Sequence, residues 1–174
     1  MNFDELSSAE PYVVAVCMSP GGIPKLPRPI AHVTRAGIDG DGRAHKKHLR
    51  SDRAISLFDL GILRDLVREG FSLTPGAAGE NLTVEHLNVQ QLPPETLLAI
   101  GEVLLRLEQP RKPCYVLDSI NPRLKEAIVG RCGYLASVVR EGIIRPGMAI
   151  RVWSTRLRAT NNPRPTSSYA KTNS

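Results

Sequence analysis

The 174-residue chain has little cysteine, few aromatics and no long apolar run. Its 3 cysteines, Cys17, Cys114 and Cys132, are odd in number and far apart. They form neither a secreted disulfide framework nor a paired zinc-ligand pattern. The expected compartment is therefore a reducing one, the cytoplasm. No apolar stretch approaches membrane-spanning length, and the acidic start Met1-Asn2-Phe3-Asp4-Glu5-Leu6 lacks the basic and apolar parts of a signal peptide. Aromatics are 5% of the chain and do not alternate with basic residues, so the stacking platform of a single-strand binder is missing. Gly-x-Ser-x-Gly, His-Glu-x-x-His and the P-loop are absent too, which leaves the common hydrolase and nucleotide readings without support.

The net charge of +6 looks like an affinity for nucleic acid until it is located. Arg156, Arg158, Arg164 and Lys171, with no acid among them, lie between residues 154 and 174. Most of the excess belongs to that tail, whose Thr, Asn, Ser and Pro cannot bury apolar surface and predict disorder. Nucleic acid is not an expected partner. The rest fits one domain, 11–153, preceded by a short arm, 1–10.

What is present centres on Gln109-Pro110-Arg111-Lys112-Pro113-Cys114-Tyr115. Two prolines bar a helix interior or a central strand, so the segment reads as a strand end entering a loop. Nearby cations favour a thiolate, which is both nucleophile and soft metal ligand. Cys114 is thus a candidate reactive centre, with a small packed hydrophobe as the plain alternative. Cys17, inside an apolar run, reads as core, and Cys132 as incidental.

The run 12–18 predicts a buried strand, and 21–29 is too rich in Gly and Pro for regular structure. That stretch carries Lys25 and Arg28 on a stiff loop, which suits an anion or simply a surface turn. Residues 30–38 predict a second strand. In the loop after it, Asp41, His45 and His48 either ligate a metal or are solvated. A strand over 54–58 leads to a helix capped by Asp59 and running to Gly70, with Leu60, Leu63, Leu66 and Val67 at helical spacing. Asn81 follows a glycine-rich loop and either offers its amide to a ligand or closes a turn. Two strands flank Gly101-Glu102. A helix starts at Asn121-Pro122 and extends to about Val129. A strand over 134–139, a turn over 141–147 and a last strand over 148–153 complete the pattern. Short strands with two helices that do not alternate regularly predict a mainly β (α+β) fold, a barrel with peripheral helices.

Five segments occur in the order of one known family: Ser19-Pro20-Gly21-Gly22-Ile23-Pro24-Lys25, Gly37-Ile38-Asp39-Gly40-Asp41, Gly79-Glu80-Asn81-Leu82-Thr83-Val84, Arg111-Lys112-Pro113-Cys114, and Gly133-Tyr134 with Glu141-Gly142-Ile143-Ile144-Arg145-Pro146-Gly147. Together they resemble the molybdenum-cofactor sulfurase C-terminal (MOSC) domain family in its small stand-alone bacterial form. The resemblance implies a β-barrel-like fold and a molybdenum cofactor (molybdopterin) or a sulfur group as ligand. It puts Cys114 where the family's cysteine meets the metal or carries the sulfur. Lys25 and Arg111 fall where related members place cations, and Asn81 matches the Glu-Asn-Leu motif that could hold pterin or phosphate. Gly42 departs from the pattern, since a large or basic residue is expected beside Asp41.

The resemblance implies an enzyme that reduces N-hydroxylated small molecules with electrons from a separate reductase, Cys114 being the molybdenum ligand. A sulfur carrier with a persulfide on Cys114, loaded by a separate donor protein, is the second reading. A barrel binding another phosphate-bearing molecule, with Cys114 merely packed, is the third.

Overall fold

The structure, a computed structural model, describes residues 9–42 and 51–153. His45, His48, most of the expected arm and the basic tail lie outside the described residues.

The apolar run Tyr12–Met18 forms β1, with Val13, Val16 and Cys17 fully buried. Leu26–Arg28 forms β2, antiparallel to it, with Pro27 opposite Cys17. A strand was not expected in so proline-rich a stretch. It is tolerated because β2 is an edge strand, where a missing N–H breaks no ladder. The predicted strand 30–38 is instead a hairpin, β3 (Ala31–Thr34) and β4 (Gly37–Ile38), turning where Gly37 adopts φ +122°.

β5 (Ile55–Asp59), helix α1 (Leu60–Arg68) and β6 (Leu82–Glu85) make a parallel crossover unit. α1 buries Leu63 and Leu66 while Val67 stays exposed. Asp59 stands at the N-cap position but forms no capping bond there; its carboxylate accepts the Val89 amide at 2.8 Å instead. β7 (Leu97–Ile100) and β8 (Val103–Pro110) form the hairpin expected around Gly101-Glu102.

After Cys114 the chain makes a 3-10 turn, Tyr115–Ser119, and only then the short helix α2, Leu124–Ala127. The helix predicted from Asn121 is shorter because the Asn121 side chain accepts the Arg123 amide (2.9 Å) and closes a turn ahead of it. β9 (Tyr134–Arg140) pairs with both β8 and β5. The predicted turn 141–147 gives its first part to β10 (Gly142–Ile144), which pairs with β3 because Ile144 can be buried there. β11 (Arg151–Trp153) pairs with β7.

The main sheet runs β11-β7-β8-β9-β5-β6-β1-β2, beside a small sheet β10-β3-β4. Its β11 edge curls back onto β1: Val13 N–H donates to Met148 O (2.9 Å), Gly147 N–H to Val13 O (2.7 Å) and Ile150 N–H to Pro11 O (2.7 Å). The fold is mainly β, a curled barrel-like sheet with few helices, as the sequence predicts. Leu57, Leu82, Ile100, Leu105 and Leu107 fill its inside. Each such fully buried aliphatic side chain contributes roughly 1.5–3 kcal/mol. A second cluster, including Phe58, Leu66, Leu117 and Leu124, packs α1 and α2 on the outside. Neither core draws on residues 109–114, where the chain leaves β8. Among the described residues no helix is long and apolar enough to cross a membrane.

Candidate functional site

β8 ends where Pro110 removes an N–H, and Pro113 removes another three residues on. Between them Arg111 N–H reaches back to Gly133 O at 2.9 Å. Cys114 then opens the 3-10 turn in an extended conformation (φ −130°, ψ 165°), its carbonyl taking the Leu117 N–H. This segment forms one wall of a cleft of about 400 Å³, within the range of roughly 300–1,000 Å³ typical of small-molecule sites. Lys25, Asn81, Arg111 and Cys114 all line it, and so do Asp41 and Arg53. Four residues chosen from three separate stretches of sequence thus share one cavity.

Asp41 is the hub of another part of the lining. One carboxylate oxygen accepts the Ser19 N–H (3.0 Å), and the other accepts Asn81 Nδ2 (2.9 Å) and pairs with the Lys25 ammonium. The Lys25–Asp41 side chains are 10% and 4% exposed, so the pair is desolvated and its charges largely cancel within the wall. The positive charge left to the cleft comes from Arg53, Arg111 and Lys112. Among the described residues no three of His, Cys, Asp and Glu converge as a metal site, and Asp41 is engaged by donors instead.

Asn81 is buried, and its amide is fully used. Its Oδ1 accepts from Ser56 N and Ser56 Oγ, both at 3.2 Å, and its Nδ2 donates to Asp41 and to Cys17 O (3.3 Å). That exhausts two donors and two lone pairs, so Asn81 braces the cleft wall rather than holding out a spare group.

Arg111 is braced on one side only. Its Nη2 donates to Ala78 O at 2.5 Å, whereas Nη1 is buried without a partner, as is Nε of Arg53. Buried donors without acceptors cost free energy unless a ligand satisfies them, and guanidinium donors match oxyanions. Gly79 makes room for this arrangement. It has φ +86°, and a Cβ there would stand 2.8 Å from Ile23 Cγ2 and 3.3 Å from Arg111 Nη2.

Gly42, the departure from the family pattern, has a steric cause. A Cβ on it would lie 1.7 Å from Pro20 O, because Gly42 N–H donates to Ser19 O at 2.7 Å and pulls the two loops together. No side chain fits there, whatever its charge.

The other two cysteines are core residues. Burial pushes the Cys17 thiol up to about 12, with Glu80 adding to the rise and Lys25 opposing it. Burial likewise raises Cys132, against the pull of Arg111. Cys114 is half-buried and is the cysteine that reaches the cleft.

Sequence reasoning left the role of Asp41 open and passed over Arg53 and Ser56. Ser56 carried one signal, a polar residue within an otherwise apolar strand, Ile-Ser-Leu-Phe. Arg53 carried none, since a cation in a short polar stretch is ordinary.

The described residues thus form a barrel-like sheet with a cleft in which Cys114 and Arg111, just past the end of β8, meet Arg53, just ahead of β5. The chain belongs to the MOSC domain family, whose model matches residues 44–151. Protein YiiM of Escherichia coli (strain K12) is 31% identical over 120 residues, which are 63% of this chain and 53% of YiiM. The chain therefore spans about half the length of that curated relative. The crystal structure of YiiM from Geobacillus stearothermophilus superposes with a TM-score of 0.70 at 26% identity, covering 83% of this chain and 75% of that one. YiiM from Escherichia coli gives 0.66 at 24%, covering 84% and 71%, and the YuaD protein from Bacillus subtilis gives 0.69 at 17%, covering 83% and 96%. The last two likenesses concern the fold alone.

Proposed function

We propose that the cleft binds a molybdenum cofactor, with Cys114 as the metal's thiolate ligand, and that the protein reduces N-hydroxylated small molecules. The observation that carries this reading is the pair of buried, unpartnered guanidinium nitrogens on Arg111 and Arg53 in the same cleft as Cys114. Those groups fit a ligand that brings an oxyanion and a soft metal together. Membership of the MOSC family supports the same class of ligand.

In this reading Arg111 and Arg53 would hold the anionic part of the cofactor. The Asp41 network would fix its part of the lining, and the apolar lining residues Ile23, Val116 and Leu135 would limit water. When bound, the cofactor supplies a metal able to change oxidation state. Converting an N–OH group to N–H takes up an electron pair and two protons and releases the oxygen as water. A Cys₄ iron–sulfur site needs four thiolates and this sequence holds 3 cysteines, so in this reading the electrons would come from a separate reductase. Free thiols persist in a reducing compartment, and we place the protein in the cytoplasm.

The test is turnover. Protein purified with its cofactor should reduce a hydroxylaminopurine or an amidoxime with an artificial electron donor, and Cys114→Ser should not. Absence of turnover by loaded wild-type protein, together with a reductant-labile extra sulfur on Cys114 by mass spectrometry, would replace this reading with that of a sulfur carrier.

A further inference from the structure

Arg111 is anchored from behind by residues that do not line the cleft. Pro110 and Pro113 have no N–H, so beyond the Pro110–Tyr134 end of the β8–β9 ladder it is the Arg111 amide, bonded to Gly133 O at 2.9 Å, that carries the contact one residue further, to the residue just ahead of β9. Gly133 is itself an unsteady anchor in principle. It sits at φ +84°, where a Cβ would lie 2.0 Å from Leu57 O, so it must be glycine, and glycine restricts its own backbone least. Its N–H is held by Gln90, whose Oε1 accepts it at 2.9 Å, while its carbonyl side continues into Tyr134, which pairs with Leu57 and Pro110. Gln90 in turn belongs to the 3-10 turn Val89–Gln91. That turn is pinned by the buried Asp59 carboxylate, which accepts the Val89 amide at 2.8 Å. A continuous set of contacts therefore runs from Asp59 through the 89–91 turn and Gly133 to Arg111.

We propose that Gln90 is a positioning residue for the cleft: by taking the Gly133 N–H it fixes the residue that anchors Arg111, and so sets where the Arg111 guanidinium meets an anionic ligand. The proposal rests on the reading of the cleft as an anion-binding site. Gly133 N–H and Gly133 O belong to one residue, so losing the Gln90 bond removes one of the restraints on the carbonyl that accepts Arg111. A displacement of about 1 Å at a positioned group is enough to cost up to roughly 100-fold in function.

The experiment uses the full-length protein and inorganic pyrophosphate as probe, titrated calorimetrically at low ionic strength, with amide hydrogen exchange of Arg111 read in parallel. Arg111→Ala should weaken pyrophosphate binding by about 10-fold or more, and Gln90→Leu by about 3- to 10-fold. In the Arg111→Ala background, Gln90→Leu should change nothing further. The Arg111 amide should exchange about 10-fold faster in Gln90→Leu, while Gln90→Glu, which keeps the acceptor, retains its protection. If Gln90→Leu does not fold, Gln90→Met keeps the side-chain length without the amide oxygen and takes its place. Unchanged binding in Arg111→Ala would sink the anion-site reading, whereas the exchange data would still judge the anchoring. Weakened binding in Arg111→Ala with none in Gln90→Leu, or an equal loss from Gln90→Leu in both backgrounds, would overturn the proposal.

Discussion

Lys25 and Asp41, 16 residues apart in sequence, form a buried ion pair that ties the loop after β1 to the loop after β4. Because the same carboxylate also receives Ser19 and Asn81, it holds three separate segments at the cleft wall.

Removing one partner of such a pair leaves an uncompensated buried charge. Asp41→Ala should therefore destabilise the protein by about 3–5 kcal/mol, more than any exposed pair such as Arg68–Asp65. Chemical denaturation of the two single variants, Asp41→Ala and Asp65→Ala, compares them directly. A loss below about 1 kcal/mol in Asp41→Ala would mean that water reaches the pair.

Gly42→Ala should be costly although alanine is small and the residue lies in a loop. Its Cβ would overlap Pro20 O, a backbone atom that can move only by separating the two loops. About 2 kcal/mol or more of stability should go, with a lowered thermal midpoint as the readout. Gly61→Ala, where a Cβ meets nothing within 4 Å, serves as control and should be neutral or stabilising, since Gly61 lies in α1.

Asp59 links stability to pH. Burial pushes its carboxyl from 3.8 up to about 6, against the lowering pull of the Val89, Gln90 and Asn88 amides. A raised folded pKa means that the folded state binds the proton more tightly than the unfolded chain. The stabilisation is complete below pH 3.8 and is lost as pH rises through about 6. Between those limits the difference amounts to about 3 kcal/mol at 1.36 kcal/mol per pKa unit. Asp59→Asn should flatten that part of the stability curve in urea melts from pH 4 to pH 7. Identical slopes in wild type and variant would show that Asp59 is not the group responsible.

The architecture was legible where local pattern and burial agree. The apolar run of β1, the Gly101-Glu102 hairpin and the strand end at Pro110 follow from β-branched residues, a turn pair and two missing N–H groups. What escaped were features decided by partners distant in sequence. β2 forms because β1 offers an edge to Leu26–Arg28, and β10 forms because β3 lies beside Gly142–Ile144. Asp59 carries every mark of a helix cap, yet it is drawn to an amide 30 residues away. In the site, Cys114, Arg111, Lys25 and Asn81 stood out by their motifs. That Asn81 has no spare donor, that Gly42 is steric, and that Arg53 joins the cleft depended on three-dimensional neighbours.

Arg53 offers a separate check on the anion reading. Its Nε is buried without a partner, so Arg53→Lys, which keeps the charge and loses the planar fork, should weaken anion binding several-fold with little change in stability. Pyrophosphate titration of that variant measures it. Unaltered binding would remove Arg53 from the site.

The most direct test is the molybdenum and pterin content of wild-type protein and Cys114→Ser, both purified anaerobically from a host that makes the cofactor. The account predicts molybdenum near one per chain in the wild type and its loss in the variant. Molybdenum retained in full by Cys114→Ser, or absent from both proteins, would contradict it.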